Sequence, residues 1–305
     1  MRIVAVGEIL WDVIDEHEYL GGAPLNFAAH AQKLGHEAFL VSAVGDDDRG
    51  QRALDCLRQW DLSTEFVQVL HGQDTGTAQV GLDSDGKPTF RIVRPAAYDF
   101  VDLSHDQLRS ISALQPDWIY FGTLYHMSAP ALAATLKLLQ ATPSARHFYD
   151  VNLRERNWSL VLVEQLSSHA DVIKLSDSEA EFLDGLLNAG EQEGSVEYLC
   201  RRWTDRYGCE TICVTLGERG CAILNRGTYS ESPGYRVQVV DSVGAGDAFA
   251  AALLHGLDRR WDTRRLGCFA NAVGALVASR PGATPDWNIE DCRLMLGERF
   301  DMQGT

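Results

Sequence analysis

The residues best placed to do chemistry lie in QVVDSVGAGDAFAAALLHG, residues 238–256, where an aspartate follows Gly244-Ala245-Gly246 at the start of an apolar helical stretch. The first N–H groups of a helix have no intrahelical acceptor, and the helix dipole adds partial positive charge there. The Gly244-Ala245-Gly246 amides can therefore hold an anion such as a phosphate. Asp247 stands at the edge of that nest. A carboxylate with an ordinary pKa of ~3.9 is ionised at neutral pH and can accept a proton from an alcohol attacking phosphorus. The same residues also read as a helix cap after a tight turn, so the rest of the chain has to decide.

A second constellation follows the first apolar run: GEILWD, then EHEYLGGAPLNFAAHAQKLG. Gly21-Gly22 lets the backbone approach a ligand closely. Asp12 supplies a pair of acceptors and Asn26 a mixed donor and acceptor, the groups that recognise sugar or polyol hydroxyls. A surface acid and a helix cap are the ordinary alternatives for the two. In KLSDSEAEFL (174–183), Ser176 and Glu179 stand three apart at a strand-to-helix junction, which is capping-box spacing. In VTLGERGCAIL (214–224), Gly217 and Gly220 bracket a turn between two strands. Two rival glycine motifs are missing. There is no Gly-x-x-x-x-Gly-Lys-Ser/Thr loop, and a dinucleotide fingerprint would need Gly or Ala at 249, where Phe249 stands.

Positioning these groups takes an alternation of strands and helices. RIVAVG (2–7), AFLVSAVG (38–45), DWIYFG (117–122), RHFYDV (146–151), DVIKLS (171–176) and TICVTLG (211–217) read as buried strands. LNFAAHAQKLG, DDDRGQRALDCLRQW, APALAATLKLLQ and SVEYLCRRWTDRYG between them carry apolar residues at helical spacing, and Gly35 and Gly208 sit where C-cap glycines belong. Regular alternation predicts βαβ units and a mainly parallel sheet covered on both faces. Such sheets bind ligands beyond the carboxyl ends of their strands. Residues 64–100 break the pattern with period-two alternation around the turn signal Asp85-Gly86, which predicts an inserted β hairpin placed to act as a lid.

Composition narrows the partners. The net charge of −16 argues against nucleic acids and anionic membranes, which both need a basic face, and leaves room for a small anion with a local positive site. The 7 cysteines form no Cys-x-x-Cys pair and read as thiols in a reducing cytosol, so a cytoplasmic location is expected. The 9 histidines show no metal-ligand spacing, and His126 reads as structural. The first residues, MRIVAVGEILWDVI, are interrupted by Glu8 and Asp12 and fit a first strand better than a signal peptide. No stretch approaches the ~18 uncharged apolar residues of a membrane span.

Taken together, the motifs are more specific than any one of them. Gly21-Gly22-Ala23-Pro24-Leu25-Asn26-Phe27-Ala28, with Gly35 and Gly45 behind it, resembles the first signature of the PfkB (ribokinase-like) carbohydrate kinases, and DSVGAGDAFAAALL (241–254) resembles the second. TGTAQVGLDSDGKPTFRI, FGTL, YDVNLRERNW, VTLGERG and NAVGALVASRPGATP extend the likeness over nearly the whole chain, with DVNLRERNW pointing to the fructokinase and 2-keto-3-deoxygluconate kinase branches. The resemblance implies one domain over 1–305, a three-layer α/β/α sandwich with a mainly parallel central sheet, and β lid segments at 13–21 and 64–100. It implies transfer of the γ-phosphoryl group of ATP, with Mg²⁺ and a K⁺ site, to a sugar. Fructose is the first candidate; 2-keto-3-deoxygluconate and ribose are the alternatives, and a catalytically silent sugar- or nucleotide-binding member is the rival from another class. The chain would act as a monomer or homodimer.

The resemblance also assigns roles by position. Asp247 becomes the base, with Gly244, Ala245 and Gly246 as the anion hole. Asp12, Gly22, Asn26 and Arg154 go to the substrate. Lys174, Ser176, Thr215, Gly217 and Gly220 go to the nucleotide, with Asn271 near the adenine. Ser176 and Glu179 match an Asn-x-x-Glu motif that organises magnesium and its waters, with Ser in place of Asn. Asp241 and the SRPGA loop match the monovalent-cation site. Only Val13 to Leu20 separate Asp12 from Gly21, where many members carry a longer insertion, so a smaller lid is expected.

Overall fold

Runs such as RIVAV and WIYFG have no polar alternation, the pattern of strands buried on both faces of a parallel sheet. In the computed structural model, which describes residues 1–82, 88–188 and 194–297, these two runs pair in parallel and are buried along almost their whole length. Where one domain over 1–305 is the sequence expectation, the chain divides into two compact units. The first comprises Met1–Gln32, His36–Ala145 and Arg154–Trp158; the second comprises Lys33–Gly35, Arg146–Leu153 and Ser159–Thr305.

In chain order the first unit contains β1 (Arg2–Val6), β2 (Leu10–Ile14), β3 (His17–Gly21), α1 (Ala23–Lys33), β4 (Glu37–Gly45), α2 (Asp48–Gln59), β5 (Val67–Leu70), β6 (Gly76–Leu82), β7 (Pro88–Val93), α3 (His105–Ala113), β8 (Trp118–Gly122) and α4 (Ala129–Ala141). Strand β1 lies between β8 and β4, and β5 adds to β4, all in parallel. A smaller sheet runs β3-β2-β6-β7: β2 pairs antiparallel with β3 and parallel with β6, and β6 pairs antiparallel with β7. Phe27 of α1 stacks on Tyr120 of β8 with ring centroids 3.7 Å apart, which ties that helix to the parallel sheet.

The lid expectation at 64–100 changes in detail. Val67–Leu70 pairs with Ser42–Gly45 of β4 and so extends the parallel sheet, not the hairpin. A half-exposed edge strand alternates just as a hairpin strand does, so the two look alike in sequence. The hairpin arms are β6 and β7, paired as far as Leu82 with Pro88; the turn signal Asp85-Gly86 lies outside the described residues.

The second unit contains β9 (Arg146–Asp150), α5 (Leu160–Ser167), β10 (Val172–Ser176), α6 (Asp177–Leu187), α7 (Val196–Tyr207), β11 (Thr211–Thr215), β12 (Cys221–Asn225), β13 (Thr228–Ser232), α8 (Ala245–Asp258), α9 (Thr263–Ala278) and α10 (Ile289–Leu296). Strands β9, β10 and β11 are parallel, and β12 and β13 continue the sheet in antiparallel fashion. Helix α8 is apolar nearly all round and buried from Asp247 to Leu257, as a helix without a polar face must be. Its main neighbour is α9. Ser176 and Thr215 end β10 and β11, and Asp150 ends β9, so the carboxyl edge of this sheet collects polar groups.

Candidate active site

Helix α8 begins as its sequence requires. The N-cap is Gly244, in the left-handed region at φ 77°, and a Cβ there would lie 2.2 Å from the Ala283 carbonyl oxygen. Only glycine fits. Asp247 is the third residue of the helix, so the reading of this aspartate as the cap is corrected: the turn conformation of Gly244 makes the cap without any side chain. Asp247 is buried in the first helical turn, the position where a carboxylate gains from the dipole.

Beside it stands a cation. Lys174 of β10 donates to both carboxylate oxygens of Asp150 at 3.0 and 2.9 Å, and both side chains are buried. The ammonium nitrogen lies 3.7 Å from where a Cβ of Gly246 would be. Burial works against the lysine charge, but the Asp150 carboxylate, with Glu179 and Asp247 adding to it, holds its pKa above the ordinary value. The glycine turn is thereby backed by a positive charge. Asp150 is absent from the sequence candidates. Its signal was available: an acid that ends a buried apolar strand, RHFYD.

Ser176 and Glu179 form a complete capping box on α6. Ser176 Oγ accepts from Glu179 N at 3.3 Å, and Glu179 Oε2 accepts from Ser176 N at 2.8 Å. Glu179 Oε1 also accepts from Leu153 N at 2.6 Å, which fixes the loop after β9. Among the described residues no group of three or more His, Cys, Asp or Glu side chains could cage a metal ion. Asp241 joins two loops, accepting from Val243 N at 3.0 Å and from Gly282 N at 3.1 Å.

Around the β11–β12 turn, Gly217 and Gly220 have φ of 60° and 106°, and a Cβ on Gly220 would meet the Ser232 carbonyl oxygen at 2.0 Å. Asn271 of α9 clamps that same segment, donating to Ser232 O at 3.0 Å and Pro233 O at 3.1 Å. Thr215 Oγ1 donates to Leu175 O at 3.3 Å. The second unit thus brings together Asp247, the glycine nest, Lys174, Ser176 and Glu179 at one edge of its sheet.

The first unit carries the predicted hydroxyl-binding residues. Asp12 lies on β2 opposite Tyr19, and its Oδ2 would be 3.0 Å from a Cβ on Gly21. Gly22 has φ 118°, and a Cβ there would strike the Glu8 carbonyl oxygen at 2.3 Å. Asn26, buried in the first turn of α1, donates its N–H to Gly22 O at 2.9 Å. Glu8 is a further buried carboxyl, accepting from Ala23 N at 3.2 Å. Burial pushes its pKa up, against the lowering effect of its hydrogen bonds and of the Arg154 and Arg94 charges. Arg94 forms an ion pair with buried Asp99 and donates to Leu124 O at 2.8 Å. Neither Glu8 nor Arg94 was singled out from sequence for a site, although Glu8 follows a buried strand just as Asp150 ends one. His126 is structural, as expected: buried, within hydrogen-bond distance of Gly122 O, with Nε2 2.9 Å from Thr135 Oγ1.

Comparison with known proteins gives consistent matches. Residues 4–290 match the model of the pfkB family of carbohydrate kinases. The chain is 31% identical to fructokinase-1 of Oryza sativa subsp. japonica over 291 residues, 90% of this chain and 88% of that one. It superposes on the fructokinase of Xylella fastidiosa with bound ATP at a TM-score of 0.81, with 25% identity over 93% of this chain and 94% of that one. A sugar kinase of Pyrococcus horikoshii in complex with ATP superposes at 0.78, with 27% identity over 92% and 94%.

Proposed function

The chain belongs to the pfkB family of carbohydrate kinases and is an ATP-dependent sugar kinase, and from that premise we propose that it phosphorylates fructose at a primary hydroxyl. The observation that carries the chemistry is the start of α8, where a side-chain-free left-handed cap exposes amides next to a buried carboxylate. Phosphoryl transfer needs positioning and charge stabilisation more than covalent chemistry, and these groups supply both.

Asp247 takes the proton of the attacking sugar hydroxyl as its oxygen approaches the γ-phosphorus. The amides of Gly244 and Gly246 hold the transferring group, the Ala245 N–H assigned with them being taken by Ser242 O at 3.3 Å, and Lys174, kept in place by Asp150, offsets its charge. Glu179 would help hold Mg²⁺, which would supply charge neutralisation at the nucleotide phosphates. Ser176 serves chiefly as the α6 cap, because its hydroxyl already accepts from Glu179 N. Thr215, Gly217 and Gly220 flank the nucleotide, and Asn271 acts on it by clamping residues 232–233. Asp241, which accepts from Gly282 N at 3.1 Å, would help hold K⁺ at this loop.

Asp12, Gly22 and Asn26 bind the sugar, with Arg154 near its entrance and the sheet β3-β2-β6-β7 as the lid that excludes water. Similarity to the fructokinases of rice and Xylella supports fructose as the acceptor. All 7 cysteines are free, in keeping with a reducing, cytoplasmic compartment.

An ADP-release assay with ATP and Mg²⁺ over fructose, ribose, 2-keto-3-deoxygluconate, tagatose 6-phosphate and fructose 1-phosphate tests the acceptor. The expected result is the highest kcat/KM on fructose. A higher value on 2-keto-3-deoxygluconate would overturn the choice of sugar while leaving the kinase chemistry standing.

A further inference from the structure

The second unit has a second concave site at the opposite edge of its sheet. A cavity of about 250 Å³ is lined by Arg146 at the start of β9, Glu210 just before β11, Arg226 in the β12–β13 turn, and Arg260 and Trp261 after α8. In a chain of net charge −16, three guanidinium groups around one small cavity are unexpected unless something holds them there. Glu210 accounts for two: it pairs with Arg146 and, at 3.2 Å, with Arg226. Arg260 is left over, an exposed side chain that forms no ion pair among the described residues.

Arg260 is not a loose surface residue by backbone. It sits in the left-handed region at φ 56°, and the turn that carries it is closed by Arg260 N to Leu257 O at 3.0 Å and Trp261 N to Gly256 O at 3.1 Å. Trp261 is buried against His255 and Phe269, with ring centroids 5.7 and 5.3 Å away, and anchors the turn from beneath. The one other acid on the wall, Asp262, caps α9 by accepting from Arg265 N at 2.9 Å. The arginines therefore exceed the acids, and the 16-residue helix α9 starts at the same wall with its positive end.

We propose that this cavity is a second anion site, separate from the catalytic one, that takes a phosphate group on the guanidinium forks of Arg260, Arg226 and Arg146. A planar guanidinium presents paired N–H donors that match phosphate oxygens. The catalytic phosphoryl group cannot reach it. The cavity lies at the last turn of α8 and Asp247 at the first, and a helix of 14 residues spans roughly 20 Å. The ligand is either free inorganic phosphate or the phosphate of a phosphorylated sugar.

The test is calorimetric titration of the whole protein, with the nucleotide site first filled by a non-hydrolysable ATP analogue and Mg²⁺. Inorganic phosphate is the probe in one arm and fructose 1-phosphate in the other. The variant Arg260→Asn removes the charge and suits the left-handed turn; Arg260→Lys keeps the charge. Saturable binding in at least one arm, weakened at least tenfold in Arg260→Asn and largely kept in Arg260→Lys, supports the site, and the stronger arm identifies the source. Binding equal in wild type and Arg260→Asn, or no saturable binding in either arm, overturns it. Melting curves of the variants separate loss of the site from loss of the fold.

Discussion

At Gly244 the backbone turns left-handed against the Ala283 carbonyl, so glycine has no substitute there. Gly244→Ala should lower stability by about 1–3 kcal/mol from backbone strain, with the clash added to it, and cut turnover by displacing the amides. Thermal melting and steady-state kinetics check both parts. His126 gives a pH signature. Burial pushes its imidazole down to about 4 from 6.5, so the fold holds the neutral ring. The stability it confers is complete above about pH 6.5 and is lost as pH falls toward 4, about 3 kcal/mol for a shift of this size. Glu8 has the opposite slope, because its folded pKa is raised. Comparing wild type with His126→Gln in urea unfolding between pH 7 and 4 isolates the histidine: the difference in stability between them should narrow as pH falls. At this scale the glycines and Asp247 were legible, because their types are dictated by turn geometry and charge. Glu8 and Asp150 were marked only by following or ending a buried strand, with the Asp150 partner Lys174 24 residues on, and nothing in its own segment marked Arg94.

Among the elements, α6 shows how one motif serves two readings. The capping box of Ser176 and Glu179 is complete, and Glu179 also holds the loop at Leu153. Ser176→Ala should cost about 1 kcal/mol of stability, as for other lost caps, and leave kcat within about threefold. Glu179→Gln should instead raise the Mg²⁺ concentration needed for half-maximal turnover. A magnesium titration of both variants distinguishes cap from metal role. The β9–β10 edge makes a sharper case. Asp150→Ala leaves Lys174 buried without its carboxylate and should destabilise by about 3–5 kcal/mol. The double variant Asp150→Leu with Lys174→Met should recover much of that stability in melts, yet stay poorly active. The buried strands and most helices could be read from apolar period and length. Among those that could not are two strands. Edge strand β5 alternates like a hairpin arm, and β13, TYSES, is too polar to announce a strand before its pairing with β12 is known.

For the whole molecule, two glycine signatures, one in each unit, carry the family assignment, and the charge of −16 explains why phosphate binding has to be local. The parallel βαβ plan was legible from alternation alone. The division into two units was not, because it depends on contact density and not on any sequence boundary. In the first unit the buried carboxyl Glu8 lies against Gly22, one of the proposed sugar-binding residues. Fructose-dependent ADP release by wild type and Asp247→Asn tests acceptor and base at once. Saturable turnover on fructose is expected for the wild type. For a variant with unchanged melting temperature, kcat should be lower by about 10²-fold or more, the loss of a general base. Near-normal turnover in Asp247→Asn would contradict the role of Asp247 as the base.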